Sequence, residues 1–334
     1  MKSFIPEGYR PILDLYETQQ AIKLIKVQFA ERLSDALHLK RVSAPLFVRP
    51  ETGLNDNLSS RERPVRFDIP YSGQNAEVVQ SLAKWKRYAL KRYDFYDGKG
   101  LYTDMNAIRR DEVLDNLHSV YVDQWDWELI LNEGERNEAF LRTCVEKIIL
   151  AIIGTQAALK ARFPGLPDLI DPDVSFVRAS ELEDRWPALS PEERETEYVR
   201  EHRSAFIIGI GADLRSGEPH SGRAPDYDDW SLNGDLILWS DVLGCPVELS
   251  SMGIRVDAET LDLQLTLSGQ DERRTLPFHQ AVLRGEMPLT VGGGIGQSRL
   301  CLLLLGKAHI GEVQSSVWDE ETIELYTRAG ITLL

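Results

Sequence analysis

The stretch His118-Ser-Val-Tyr-Val-Asp-Gln-Trp-Asp-Trp-Glu128 limits the fold more than any other part of the sequence. Its alternation predicts a strand over residues 118–127, with Val120, Val122, Gln124, Asp126 and Glu128 on one face. Tyr121, Trp125 and Trp127 fall on the other, and two such tryptophans require a core to cover them. The opposite face changes from valine to glutamine and carboxylates, as a strand does when it runs from packed interior into a polar pocket. Further strands are expected over 77–82, 100–108, 205–210, 235–239 and 247–256, with Asp241-Val-Leu-Gly244-Cys-Pro246 as a hairpin turn. Most links between them are too short for a crossover helix, which favours antiparallel pairing.

Two long helices complete the frame. Residues 17–39 carry Ile22, Ile25, Phe29, Leu33 and Leu37 at spacings of three and four, with Thr18 as the expected N-cap. Residues 136–163 carry Phe140, Cys144, Val145, Ile148, Ile149 and Ile152 until Pro164-Gly165 stops them. The charged segment 180–203 reads as a solvated helical insertion. No composition break divides the chain, so residues 1–334 are expected to form one α+β domain, a central antiparallel sheet flanked by helices.

The net charge of −15 lacks the basic footprint of a nucleic-acid binder. The longest apolar run, 300–305, is far short of the ~20 residues that cross a bilayer, and the first residues hold no secretory apolar stretch. Cys144, Cys245 and Cys301 are far apart and form no CxxC pair, which points to a reduced, cytoplasmic chain with neither a disulfide framework nor a structural zinc site.

Four clusters carry candidate chemistry. Gly292-Gly-Gly-Ile-Gly-Gln-Ser-Arg299 precedes an apolar helix; it matches neither the dinucleotide fingerprint nor the Walker A loop, and reads either as an anion-facing backbone or as a tight turn. Arg109-Arg-Asp-Glu112 ends a strand at a polar loop. Asp226, Asp228 and Asp235 precede Glu248-Leu-Ser250-Ser251-Met-Gly-Ile-Arg255, where Asp235 and Glu248 on neighbouring strands are a candidate magnesium pair. Strict alternation puts Arg255 opposite Glu248 and Ser250, unless a bulge near Gly253 returns it. The basic segment Lys84-Trp-Lys86-Arg87 matters only if a lysine points into the acidic pocket.

These residues resemble a known family. Gly292–Arg299 is similar to motif 3 of the class II aminoacyl-tRNA synthetases, and Arg109-x-x-Glu112 to the motif 2 arginine and glutamate. Gly53-Leu-Asn-Asp-Asn57, Ser81-Leu-Ala-Lys-Trp-Lys86, His118–Glu128, Arg223-Ala-Pro-Asp-Tyr-Asp-Asp-Trp230 and Glu248–Arg255 resemble the ammonia-dependent asparagine synthetase (aspartate–ammonia ligase) family. The resemblance spans nearly the whole chain, from about residue 17 to 318. Gln80 stands where that family usually has histidine.

The resemblance implies a class II synthetase core, a homodimer and no anticodon-binding domain. It implies amidation of L-aspartate with ammonia and ATP through β-aspartyl-AMP, releasing AMP and pyrophosphate. Arg109 and Arg299 would face the phosphates, with Glu112, His118, Ser119, Val122, Glu248 and Gly294 completing the nucleotide site and Asp235 and Glu248 holding Mg2+. Asp56, Ser81, Lys86, Gln124, Asp126, Asp228, Ser250, Ser251 and Arg255 would form the aspartate pocket. Lys86 or Arg255 suits the α-carboxylate, Asp126 or Asp56 the α-ammonium, and Asp56 or Asp228 the ammonium proton. A paralogue using another amine or acid, and a non-catalytic adenylate-binding one, are the rival readings. Arg109, Arg299, Asp235 and Glu248 together argue against the second.

Overall fold

A computed structural model describes residues 3–56, 58, 62–132 and 134–334. In chain order the elements begin α1 (Leu15–Leu37), β1 (Leu39–Arg41), β2 (Phe47–Val48), β3 (Arg66–Ile69), β4 (Gln74–Val78), α2 (Ala83–Arg92), β5 (Gly100–Ile108) and β6 (Tyr121–Ile130). They continue as α3 (Glu138–Arg162), β7 (Ser175–Arg178), α4 (Ala179–Arg185), α5 (Pro191–His202), β8 (Ser204–Ile208) and β9 (Asp228–Ser240). The last are β10 (Cys245–Arg255), α6 (Ala258–Leu267), α7 (Pro277–Leu283), β11 (Thr290–Gly296), α8 (Gln297–Leu304) and α9 (Glu320–Arg328).

Eight strands form the main sheet in the order β1-β5-β6-β11-β10-β9-β8-β7. Its centre is antiparallel as the short links require, and only the outer pairs β1–β5 and β7–β8 are parallel. Those pairs are joined by long connections that carry helices, which is what parallel strands need. The expected hairpin joins β9 to β10, with Gly244 at φ +63° and its N–H donating to Ser240 O.

One sheet face is covered by α1, α3 and α8. Ile25, Phe29 and Leu33 of α1 join Val145, Ile148 and Ile152 of α3 over Trp125 and Trp127 of β6. Both tryptophans are buried, each contributing on the order of 3 kcal/mol. On the opposite face, α2 packs over β5 and β6 through Leu82, Trp85 and Leu90, and α4 and α5 pack over β8 and β9. The sheet between these covers is the floor of a cavity.

Several expectations need correction. Helix α1 starts at Asp14, which forms a capping box with Glu17; Thr18 is inside the helix, its hydroxyl donating to Asp14 O at 2.6 Å. The expected strand 77–82 ends at Val78 and belongs to a separate sheet, β2-β4-β3, while Ser81 Oγ accepts from Ala83 N where α2 begins. Strand β6 starts at Tyr121, because Asp115 accepts from the backbone of Leu117 and His118 and holds that segment in a turn. The insertion 180–203 is not simply solvated: Leu182, Glu183, Arg194, Tyr198 and Val199 are buried. Residues 292–296 are strand and not turn, since glycine lets β11 run between two strands crowded with large side chains.

Candidate active site

A cavity of about 410 Å³ opens on the floor made by β6, β11, β10 and β9. From Gln124 on, the alternation read from β6 holds, with Gln124 and Asp126 lining the cavity and Trp125 and Trp127 in the core beneath; at the strand's start, Tyr121, expected on the core face, lines the cavity beside Val122. The bulge expected near Gly253 is present. Gly253 pairs with Asn233 and Arg255 with Asp228, so Arg255 returns to the cavity face. A second shift, between Glu248 and Ser250, was not foreseen. It pairs Ser250 with the core residues Leu236 and Ile295, so Ser251 and not Ser250 lines the cavity. Ser250 is buried with its hydroxyl unpartnered, and its expected place in the aspartate pocket is withdrawn.

One end of the cavity is a web of buried charge. Lys86 Nζ donates to Asp126 Oδ1 at 2.5 Å and to Gly293 O at 2.8 Å. Asp126 Oδ2 is buried with no partner. Arg255 reaches Glu128 with Nε and Nη2, at 3.0 and 2.7 Å, and Asp228 with Nη1. Burial alone would raise the Glu128 carboxyl, but Arg255 outweighs it and keeps it below the usual carboxylate range. Burial pushes the Lys86 ammonium below its ordinary value, with Asp126 opposing and Arg255 reinforcing. Gly292 is what makes room: a Cβ there would overlap the Glu128 carboxylate and come within 2.7 Å of Arg255 Nη2.

Asp56 enters this end from the loop after Gly53. Burial raises its carboxyl, Asp226 adds to the rise, and Lys84 opposes it. Gln80, the departure from the family pattern, does not line the cavity. It lies behind Asp56, donating from Nε2 to Asp56 O at 3.1 Å, with its Oε1 buried and unpartnered.

The other end is rimmed by Arg109, Glu112, His118 and Ser119 from the β5–β6 turn, with Val122 from β6 and Arg299 from α8. Arg299 Nη1 donates to Glu248 O at 2.7 Å. The neighbouring carboxylate that would most easily tie down Arg109 is engaged elsewhere, since Arg63 takes Asp111 with side chain and backbone at 2.5–3.1 Å. Arg109 Nε is buried without a partner. Between the two ends stand Asp235 and Glu248. Burial raises Asp235 to about 6, Arg223 opposes and Glu248 adds. Burial would raise Glu248 too, but Arg299 and Arg223 hold it below its ordinary value. Both acids already have partners, since Arg223 pairs with Asp235 at 2.5 Å and Ser251 Oγ donates to Glu248 Oε1 at 2.9 Å.

Every other expected site residue lines this cavity, including Asp56, Ser81, Asp228 and Gly294. Sequence reasoning gave no role to Arg223, which pairs with Asp235 at 2.5 Å, to Glu128 beneath Arg255, or to Tyr227, whose ring centroid lies 5.8 Å from the Arg255 guanidinium carbon. The strand pattern did put Glu128 on the correct face; Arg223 and Tyr227 lie in a loop, where periodicity gives no direction.

The fold is that of the class II aminoacyl-tRNA synthetases. It superimposes on asparaginyl-tRNA synthetase from Entamoeba histolytica with a TM-score of 0.64 at 16% identity, covering 90% of this chain and 67% of that one. The asparaginyl-tRNA synthetase of Pyrococcus horikoshii, complexed with asparaginyl-adenylate, gives 0.64 at 15% identity, with 89% and 68% covered. Within that fold, this chain belongs to the aspartate-ammonia ligase family, whose model matches residues 16–330. It is 54% identical to the aspartate–ammonia ligase of Lactobacillus johnsonii over 100% of both chains, and 56% identical to that of Lactobacillus acidophilus over 97% of both.

Proposed function

We propose that this ligase activates the β-carboxylate of L-aspartate with ATP to β-aspartyl-AMP and pyrophosphate, and that ammonia then displaces AMP to give L-asparagine. The carrying observation is that one cavity joins an amino-acid-sized charged end, with a free acceptor on Asp126, to an end where Arg109 and Arg299 face open space. A carboxylate is a poor electrophile for ammonia because of its own charge, so activation must come first. The activating step brings two anions together and needs fixed positive charge where negative charge develops. Arg109 and Arg299 are suited to supply it.

At the other end, Asp126 Oδ2 would receive the substrate α-ammonium, and Lys86 and Arg255 would hold the α-carboxylate, leaving the β-carboxylate directed at ATP. Gln124, Ser81 and Ser251 would complete the pocket. Asp228 is already paired with Arg255. Asp56, whose burial favours the protonated form, is therefore the better acid to accept the proton that ammonium must lose before attack. Asp235 and Glu248 offer the oxygen-only donors that magnesium takes together with substrate phosphates. Bound there, Mg2+ would offset phosphate charge. Lys86, Asp126 and Arg255 supply the orientation, and the nucleotide end the field, whatever the metal.

Ammonia is favoured over glutamine as nitrogen donor. None of the three cysteines lines the cavity, and burial pushes the Cys144 and Cys301 thiols up to about 12. The same reading makes the chain a single catalytic domain and a cytoplasmic homodimer that binds no nucleic acid. Among the described residues no helix is long and apolar enough to cross a membrane. Incubation with ATP, aspartate and ammonium is expected to yield asparagine, AMP and pyrophosphate in equal amounts; ADP as the stoichiometric product would overturn the reading. Ammonia-free glutamine is expected to yield far less asparagine.

A further inference from the structure

Behind the charged end of the cavity lies a second buried cluster that does not line it. Its centre is the Asp226 carboxylate, which is fully buried. Asp226 Oδ2 accepts from Lys84 Nζ at 2.8 Å, Arg273 Nη1 at 2.9 Å and His279 Nε2 at 2.8 Å. All three partners are buried too. Burial would raise the Asp226 carboxyl, but Lys84, His279 and Arg273 together hold it far below the usual range, so it is an anion. Burial lowers the His279 imidazole, and because a carboxylate oxygen can only accept, the proton between them sits on His279 Nε2.

The segments meeting at Asp226 are the same ones that deliver the amino-acid end of the cavity. Two residues beyond Lys84, on α2, is Lys86. Two residues beyond Asp226 itself is Asp228. His279 also presses on Gly53, three residues before Asp56: a Cβ on Gly53 would lie 3.2 Å from His279 Nδ1 and 2.9 Å from Leu276 Cβ. Gly53 has φ +72°, so that turn is both tight and glycine-dependent. Arg273 and His279 come from the segment that follows α6, which sends no side chain into the cavity.

We propose that Asp226 is a positioning residue for aspartate binding, the shared anchor that sets Lys86, Asp228 and the Asp56 loop at their mutual spacing. The inference rests on the assignment of those residues to the aspartate subsite. The nucleotide end depends on the β5–β6 turn, α8 and the β9–β10 pair, none of which bonds to Asp226. Loss of the anchor therefore loosens one substrate and spares the other. A merely structural role would loosen both or neither.

Steady-state kinetics on Asp226→Asn tests this, with KM measured separately for aspartate and ATP at saturating partner concentrations. KM for aspartate is expected to rise tenfold or more, and KM for ATP to stay within twofold. Two milder variants accompany it, since Asp226→Asn leaves two buried cations without their anion. Asp226→Asn with Lys84→Met removes a cation together with the anion. His279→Leu removes only one donor and is expected to raise KM for aspartate about threefold. Parallel rises in both KM values, an unmoved aspartate KM in the folded variants, or failure of all three to fold would overturn the inference. Asp126→Asn is measured beside them. If it leaves aspartate KM unmoved, the subsite assignment itself has failed; if it raises KM and the Asp226 variants do not, only the anchoring role has.

Discussion

Among the buried polar clusters of the described residues, the one around Lys86 and Arg255 lines the cavity, while the one around Glu312 contributes no polar side chain to it. In the latter, Tyr9 donates to both Glu312 oxygens at 2.9 Å, and Glu312 Oε1 also accepts from the backbone of Ala308 and His309. Lys307 donates to Thr18 at 3.0 Å, Asn116 to Ala308 O at 2.6 Å, and His309 Nδ1 accepts from Gly311 N. None of these residues has a buried side-chain polar atom without a partner. The cavity cluster is as charged and as deep, yet Asp126 Oδ2 and Arg109 Nε are left over. Burial of charge is therefore no mark of a site in this molecule. Nor does an unpartnered atom suffice, since Ser250 Oγ, Gln80 Oε1 and Asp226 Oδ1 have none and do not line the cavity; what separates Asp126 and Arg109 is that their leftover capacity lies in residues that line open space.

That contrast can be broken experimentally. The largest effect is expected for Arg109→Ala, where losing one donor to developing charge costs roughly 3–4 kcal/mol, on the order of a hundredfold or more in turnover. The melting temperature should barely move, as Arg109 stands at a loop mouth; near-normal turnover would remove the arginine from catalysis. Glu312→Gln should do the reverse. It leaves mismatched donors in a closed network, so stability should fall by about 2–3 kcal/mol in a denaturant titration. Activity per folded molecule should be retained, and a loss of kcat without loss of stability would erase the distinction drawn above. Gly292→Ala should strike both properties, since its methyl group crowds Glu128 and Arg255 in a packed floor; about 1–3 kcal/mol is expected from melting curves, along with weaker aspartate binding.

The smallest effect is a pH dependence confined to the closed cluster. Burial lowers His309 from the ordinary 6.5 to about 4. A base whose folded pKa is depressed gives stability that is present above pH 6.5 and is lost as the pH falls toward 4. Replacing it, as in His309→Asn, should flatten that part of the stability profile relative to the unsubstituted chain. Equal acid sensitivity in both chains would assign the loss to other groups.

What the sequence disclosed followed the reach of side-chain periodicity. On α1, Ile25, Phe29, Leu33 and Leu37 were legible because a helix repeats them on one stripe, and on β6 the two tryptophans separated core from cavity. The bulge at Gly253 was legible because Arg255 needed it to join Glu248. Ser250 was misplaced because a second bulge, five residues earlier on the same strand, leaves no pattern of its own. The Asp14 cap was overlooked beside Thr18, although Glu17 completes its capping box. Strand β11 was hidden because glycines have no faces to alternate. Loop residues such as Arg223 and Asp226 acquire direction only from tertiary contacts, so their burial was invisible; the run of acids brought Asp226 to notice, and the resemblance to a family brought the Arg223 segment.

Strand β11 has a consequence for redesign. Gly292 is closed to substitution by Glu128 and Arg255, which are locked to each other, and Gly293 by the core side of β10 at Met252; at Gly294 a Cβ would lie 2.5 Å from the Gln124 amide oxygen, the free end of a side chain that can turn into the cavity. A saturation-mutagenesis map should show intolerance at Gly292 and Gly293 and a milder effect of alanine at Gly294. The middle of the floor thus has no side chain to exchange. An engineer wishing to change the acid or amine accepted by this scaffold must work from β6, from β9 or from the loops, and leave the central strand as it is.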